Sequence, residues 1–235
     1  MQTDFYTNVS LVGDGILYRG FSNGKEVSRV DHYHPTLFVK SESETDYKTL
    51  DGDYVEAVVP GTIRECREFV NTYSGINNFT VYGNTDYVYQ YIGDYFSKEV
   101  EYEFDKIPIC YMDIETTCDG GFPSVENPTE SVIAITVSML GETHVFGLGK
   151  FHSSDIDTFT YDFEREEDLL LSFIEWWENN PPHVITGWNV KFFDIPYLIS
   201  RIKYVLKPKH AKRLSPWRRL RDKYIEKQGK KNLVY

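Results

Sequence analysis

Two carboxylates stand at the end of the apolar run Ile109-Cys110-Tyr111-Met112-Asp113-Ile114-Glu115. A strand sends residues two apart to the same face, so Asp113 and Glu115 emerge side by side. Where their neighbours predict burial, such a pair is costly unless a cation or hydrogen-bond donors compensate it. The competing reading is an exposed strand end whose acids face water, and the triplet alone leaves both open. A third acid, Asp194, follows a second apolar run, His183 to Trp188, and the connector Asn189 to Phe193. An Asp just ahead of Ile195-Pro196 also makes an ordinary helix N-cap with proline in the first turn, so Asp194 has two readings as well. Gathered at the ends of adjacent strands, three carboxylates repel one another, and divalent cations relieve that repulsion. Oxygen-only donors favour Mg²⁺ or Mn²⁺ over zinc, and no His/Cys cluster competes. No Ser/His or Cys/His arrangement suggests a covalent nucleophile.

Charge gives a second signal. The whole chain carries a net charge of −11, which taken alone argues against a polyanionic partner. From Arg201 to Lys231, however, 13 Lys and Arg face only two acids, Asp222 and Glu226. An asymmetry of this size suggests that one end meets a polyanion, with a solvated Lys-rich helix as the alternative.

The elements that must position these groups are legible in outline. Phe5 to Val12 and Ile16 to Phe21 have strand composition, and Asn23-Gly24 signals a hairpin turn into Val27 to Tyr33. A helix is predicted from Thr62, where Thr62 and Glu65 form a capping-box pattern and Ile63, Cys66, Val70 and Tyr73 recur at helical spacing. The tyrosine- and aspartate-rich stretch that follows gives no clear elements. From Lys106 the pattern changes. Buried strands are predicted over 107–114, 132–140, 144–148 and 183–188, and helices over 164–179 and 194–206. Pro181-Pro182 ends the first of these helices. Strands followed by alternating helix and strand predict a mixed sheet flanked by helices, α/β in this domain and α+β overall. The expected division is a smaller strand-rich domain over 1–105 and the mixed-sheet domain over 106–235.

Composition narrows the class. With 41% hydrophobic and 26% charged residues the chain can build a packed core. No run of 18 or more apolar residues suggests a membrane span, and the N-terminus does not read as a signal peptide. Cys66, Cys110 and Cys118 are an odd number without metal-ligand spacing, which fits reduced thiols in a cytosolic compartment.

The motifs carry a family resemblance. Met112-Asp113-Ile114-Glu115-Thr116 is similar to the first exonuclease motif of family B DNA polymerases. Gly187-Trp188-Asn189-Val190-Lys191-Phe192-Phe193-Asp194-Ile195-Pro196-Tyr197 resembles the second, an Asn-x3-Phe-Asp pattern about 80 residues further on. Asp119-Gly120-Gly121-Phe122-Pro123 and Ala211-Lys212-Arg213-Leu214-Ser215-Pro216 sharpen the match to the T-even-like bacteriophage type, and the N-terminal segment runs in a similar order.

The resemblance implies a ribonuclease-H-like 3′→5′ proofreading exonuclease domain of the DEDD type, with two Mg²⁺ or Mn²⁺ ions. By it, Asp113 bridges both ions, Glu115 binds one and helps orient the attacking water, and Asp194 holds the second. Two such ions, about 3.5–4 Å apart, stabilise the attacking and leaving oxygens of a phosphodiester. The implied substrate is the single-stranded 3′ end of primer-template DNA. Phe122 is implied to stack on its terminal nucleotide, with a loop aromatic covering the core as the alternative; Asn189 and Phe193 are implied to line the groove, Phe193 reading more readily as core, and Lys212 and Arg213 to follow phosphates. Partners would be DNA, the remainder of the polymerase and, as a candidate, a sliding clamp, with no membrane; the compartment would be the cytosol of a bacterial host.

The chain also departs from the family. The fourth carboxylate belongs to a Tyr-x3-Asp motif, and none follows Asp194; Tyr47…Asp51 and Tyr82…Asp86 precede the first motif and read as coincidence. The polymerase motifs are absent too, so the chain is not expected to polymerise DNA alone, and weak or no cleavage is expected of it. Asn232 to Tyr235 reads like the start of a further strand, as fits a truncated form, a partial gene or one piece of a split polymerase. A binding module whose acids are structural, and a stand-alone DEDD nuclease, are the competing readings. The strand-rich first domain weighs against the latter.

Overall fold

The computed structural model describes residues 4–227 and 229–235. The chain divides into two compact units, the first ending at Glu103 and the second running from Phe104 to Tyr235.

The first unit opens with an antiparallel meander of β1 (Phe5–Val12), β2 (Gly15–Ser22) and β3 (Lys25–Asp31). The predicted turn between the last two is present, with Asn23 and Gly24 both left-handed at φ 50° and 72°, as a tight hairpin of the primed type requires. A second antiparallel sheet is built from β4 (Leu37–Lys40), β5 (Tyr47–Lys48) and β6 (Tyr54–Val58), then, after α1 (Ile63–Tyr73), from β7 (Val81–Tyr82), in the order β5-β6-β4-β7. The capping box of α1 is complete. The Glu65 amide donates to Thr62 Oγ1 at 3.4 Å and the Thr62 amide to Glu65 Oε2 at 2.7 Å.

The tyrosine-rich stretch that gave no elements contains α2 (Tyr87–Tyr95), capped by Asp86, whose carboxylate accepts from the Val88 amide at 3.2 Å. Tyr87 and Tyr91 are fully buried with Ile16, Leu37 and Ile63. Their hydroxyls conceal this role, because a tyrosine stripe does not read as an apolar helix face.

The second unit is a five-stranded sheet in the order β11-β10-β9-β8-β12. It comprises β8 (Ile109–Thr116), β9 (Val132–Met139), β10 (Glu142–Leu148), β11 (Thr158–Phe163) and, after α3 (Glu166–Asn179), β12 (Val184–Thr186). The meander β8–β9–β10 is antiparallel, while β11 joins β10 and β12 joins β8 in parallel. Then come α4 (Asp194–Leu206), the short α5 (Pro208–Ala211) and a hairpin of β13 (Lys223–Lys227) and β14 (Lys230–Val234). This is an α/β, ribonuclease-H-like arrangement, preceded by the strand-rich first unit.

Alternation along β8 sorts its side chains. Cys110, Met112 and Ile114 pack into the core with Leu169, Leu170, Phe173 and Ile174 of α3 and Leu198 and Ile202 of α4. Tyr111, Asp113 and Glu115 point away from it and are exposed. Burying the α3 stripe of five apolar side chains, Leu169, Leu170, Phe173, Ile174 and Trp177, contributes on the order of 1.5–3 kcal/mol each.

Two expectations need correcting. The stretch 183–188 is not a buried strand. β12 has three residues at the sheet edge, with Val184 42% and Ile185 39% exposed. An apolar edge strand has the composition of an interior one, and composition cannot tell whether a neighbour lies beyond it. β11 was not expected at all, because Thr158–Phe163 mixes polar and aromatic residues on a half-exposed edge.

Candidate functional site

β12 pairs with β8 only over Ile109 to Tyr111, so the edge of β8 beyond that point is open on this side. The chain then turns sharply. Asn189 takes a left-handed φ of 58°, its carbonyl accepts from the amides of Phe192 and Phe193 at 2.9 and 3.0 Å, and the Val190 carbonyl accepts from Ile195 at 3.0 Å. This coil delivers Asp194, at the head of α4, to the open edge. Its Oδ1 accepts from the Ile114 amide at 3.2 Å, the peptide group lying between Asp113 and Glu115.

The helix-cap reading of Asp194 does not describe this geometry. The cap position belongs to Phe193, which makes no side-chain cap bond, and the Asp194 carboxylate reaches a neighbouring strand instead. Asp194 is 3% exposed. Burial pushes its carboxyl above the usual value, its own amide and that of Ile114 oppose this, and the charges of Asp113 and Glu115 push the same way as burial. The three acids are therefore brought into electrostatic contact, two exposed on the strand and one buried beside it. Among the described residues, however, no group of three or more His, Cys, Asp or Glu side chains is arranged to hold a single metal ion.

Close approach of the two motifs depends on Gly187. A Cβ there would lie 2.4 Å from the Met112 carbonyl oxygen, far inside contact distance, so any side chain separates the two backbones. We expect Gly187→Ala to cost about 1–3 kcal/mol, the usual scale of overpacking, read as a lower melting temperature. A variant as stable as the parent would show that the connector does not need this contact.

Phe122, Asn189 and Phe193 meet in one groove of about 540 Å³, also lined by Pro123, Phe192 and Leu233. Phe122 is 88% exposed, with its ring centroid 5.6 Å from that of Phe193. Phe193 in turn stacks on buried Tyr197 at 5.5 Å, so it is both groove wall and core cover. Lys212 and Arg213 lie elsewhere and do not line this groove. Lys212 is exposed, whereas the Arg213 guanidinium is bound to Glu178, with Nε at 2.8 Å. Arg218 shares that carboxylate, so part of the basic segment is already neutralised within the unit.

Two residues that no motif singled out organise the surroundings. Arg201, 6% exposed, lies on the apolar face of α4 and is bound to Glu166 of α3. Glu130 binds the loop that follows β8. A charged residue on a buried helix stripe was the available signal for Arg201, since such groups are rarely buried unpaired.

Residues 69–232 match the family model described as DNA polymerase family B, exonuclease domain. The chain is 30% identical to the DNA-directed DNA polymerase of Escherichia phage RB69 over 95% of its own length and 28% of that protein's. Against the corresponding polymerase of Enterobacteria phage T4 the identity is 28%, over 99% and 29%. The DNA polymerase delta catalytic subunit of Candida albicans matches at 33% over 41% of this chain and 10% of its own length. The chain thus spans less than a third of the two phage relatives. On the family match and the phage relatives together, it belongs to the family B DNA polymerases, whose exonuclease domain it carries.

Proposed function

We propose that the second unit provides most of a 3′→5′ proofreading exonuclease site, hydrolysing phosphodiesters at a single-stranded DNA 3′ end, and that the first unit is the N-terminal domain of the same polymerase. The observation that carries this reading is the Asp194 carboxylate, buried and bonded to the Ile114 amide between Asp113 and Glu115. A purely structural carboxylate gains nothing from two like charges beside it. A ligand for divalent cations does.

The donor set suits Mg²⁺ or Mn²⁺, being all oxygen and mutually repulsive. Two such ions, when bound, would supply an activated water and stabilise the leaving oxygen. Each ion would draw further ligands from water and phosphate, as Mg²⁺ readily does. Asp113 and Glu115 present their oxygens outward, where a strand end can approach. Asp194 is fixed by the Ile114 amide and keeps a second oxygen for coordination. The groove beside Phe122 and Phe193 accepts an unpaired base by stacking, which every base permits. A paired terminus cannot splay into it, which favours frayed ends. Primer-template DNA and the remainder of a longer polymerase are the partners this reading requires, and a sliding clamp remains a candidate. The phage relatives point to the cytosol of a bacterial host. Among the described residues no helix is long and apolar enough to cross a membrane.

Calorimetric titration with Mn²⁺ tests the reading. The unsubstituted chain should bind the ion, with affinity falling at least about tenfold in Asp113→Asn and in Asp194→Asn, since losing even an outer-shell partner of a ligand typically costs about 10–100-fold. Cleavage of single-stranded DNA in Mn²⁺ should be weak, and should vanish in Asp113→Ala. The exposure of Asp113 and Glu115 to water favours a second reading, a nucleic-acid-binding module with structural acids. Equal Mn²⁺ binding by all variants, or none by any, would overturn the assignment of these acids as ion ligands.

A further inference from the structure

We propose that Glu130 is a positioning residue that sets the grip of the groove on a terminal base, by fixing the loop that carries Phe122; this rests on the nuclease reading above. The loop leaves β8 directly after the two carboxylates and returns into β9. Its ends are tied to each other, with the Thr117 amide donating to the Ser131 carbonyl at 2.8 Å and the Ser131 amide to Thr117 Oγ1 at 2.9 Å. Between them the Glu130 side chain acts as an internal anion. Oε2 accepts from Thr117 Oγ1 at 2.6 Å and from the Asp119 amide at 3.1 Å, and Oε1 accepts from the Gly120 amide at 2.9 Å. These donors, the Thr117 hydroxyl foremost, hold the carboxyl below the usual range.

The two glycines fit this arrangement. A Cβ on Gly120 would lie 2.7 Å from Glu130 Oε1, and Gly121 holds a φ of 105° that other residues rarely adopt. The next residue is Phe122. The far limb of the loop is fastened to α4. Tyr197 Oη donates to the Glu130 carbonyl at 2.7 Å, and Arg201 Nη1 donates to the carbonyls of Pro128 and Thr129 at 2.7 and 2.9 Å. Asp194 heads this same helix, so the exposed ring and the buried acid share one frame. A ring already held over the groove loses little freedom when a base stacks on it, and that is where preorganisation adds affinity. The ligand class is the 3′-terminal base of a single strand, irrespective of its identity.

A double-mutant cycle separates this role from simple scaffolding. Binding is read from the quenching of 2-aminopurine at the 3′ end of a short oligothymidylate, alongside each variant's melting temperature. Phe122→Ala should weaken binding by about tenfold, the scale of one base–aromatic stack. Glu130→Gln, which retains one acceptor oxygen for three donors, should weaken it several-fold. In the Phe122→Ala background Glu130→Gln should add nothing further. Thr117→Val, which removes one of the Glu130 donors and the acceptor of the Ser131 amide but leaves the two backbone bonds to Glu130, gives a second variant with the same expected coupling should Glu130→Gln fold poorly. Additive losses, or unchanged affinity in both Glu130→Gln and Thr117→Val, overturn the proposal while leaving the nuclease reading standing. No binding by the unsubstituted chain overturns both.

Discussion

Arg201→Met lowers the stability of the second unit by about 3–5 kcal/mol, because it strands a buried carboxylate. The Arg201 and Glu166 side chains are only 7% and 10% exposed. Arg201 Nε donates to Glu166 Oε1 at 2.8 Å and Nη2 to Oε2 at 2.6 Å, a bidentate pair. Glu166 Oε1 also accepts from the Val132 amide at 2.8 Å, and Arg201 Nη2 donates to Ser131 Oγ at 3.1 Å. One ion pair thus joins α3, α4 and the start of β9. With the cation gone, Glu166 stays desolvated with a single donor, a cost well above the value of a surface pair. The double variant Arg201→Met, Glu166→Leu should recover part of the loss, since it removes the orphaned charge, although the Val132 amide then lacks its acceptor and the Pro128 and Thr129 carbonyls their Arg201 donor. Because the chain has two compact units, the change is best followed by hydrogen exchange on α4 amides rather than by one global melt. A loss below about 1 kcal/mol, the range of an exposed pair, or a double variant less stable than the single one, would refute this account.

What the sequence disclosed follows from which physical signals are local. Alternation along 109–115 places Asp113 and Glu115 on one face, and the structure has them there, but exposed rather than buried as their apolar neighbours predict. The capping box at Thr62 and the turn at Asn23-Gly24 are equally local, set by groups within three residues of one another. Asp194 was ambiguous for a definite reason: a helix-capping Asp and an Asp that reaches a neighbouring strand have the same local sequence. Only the sheet order, with β12 beside β8, distinguishes them. The exposure of β12 likewise depends on what lies beyond the sheet edge. Glu130 and Arg201 were illegible because their partners lie far off in sequence; Arg201 grips residues 128, 129 and 131 from 70 or more positions away. Phe122 was placed by resemblance, yet the carboxylate that fixes its loop has no motif of its own.

The raised pKa of Asp194 leads to an expected trade between stability and ion binding. A carboxyl whose folded pKa lies above its unfolded value binds its proton more tightly in the native state. Stability therefore falls as pH rises from near the ordinary 3.8 through the raised value, and above that value the folded chain bears the full penalty of an ionised, buried acid beside Asp113 and Glu115. Asp194→Asn removes the charge, while its amide oxygen can still accept from Ile114. In EDTA at neutral pH this variant should melt higher than the parent. Each unit of pKa elevation corresponds to about 1.4 kcal/mol, and each kcal/mol to a few degrees in the transition of the second unit. At pH 3 the two should melt together, since Asp194 is then protonated in both folded and unfolded chains. Saturating Mn²⁺ should reverse the order, because an ion bound only by the native parent adds stability in proportion to the logarithm of its concentration. Melting curves with and without Mn²⁺ would contradict the assignment if Asp194→Asn were the less stable form in EDTA. They would contradict it equally if the ion raised both proteins alike, since relief of repulsion among Asp113, Glu115 and Asp194 is what makes the cation favourable here.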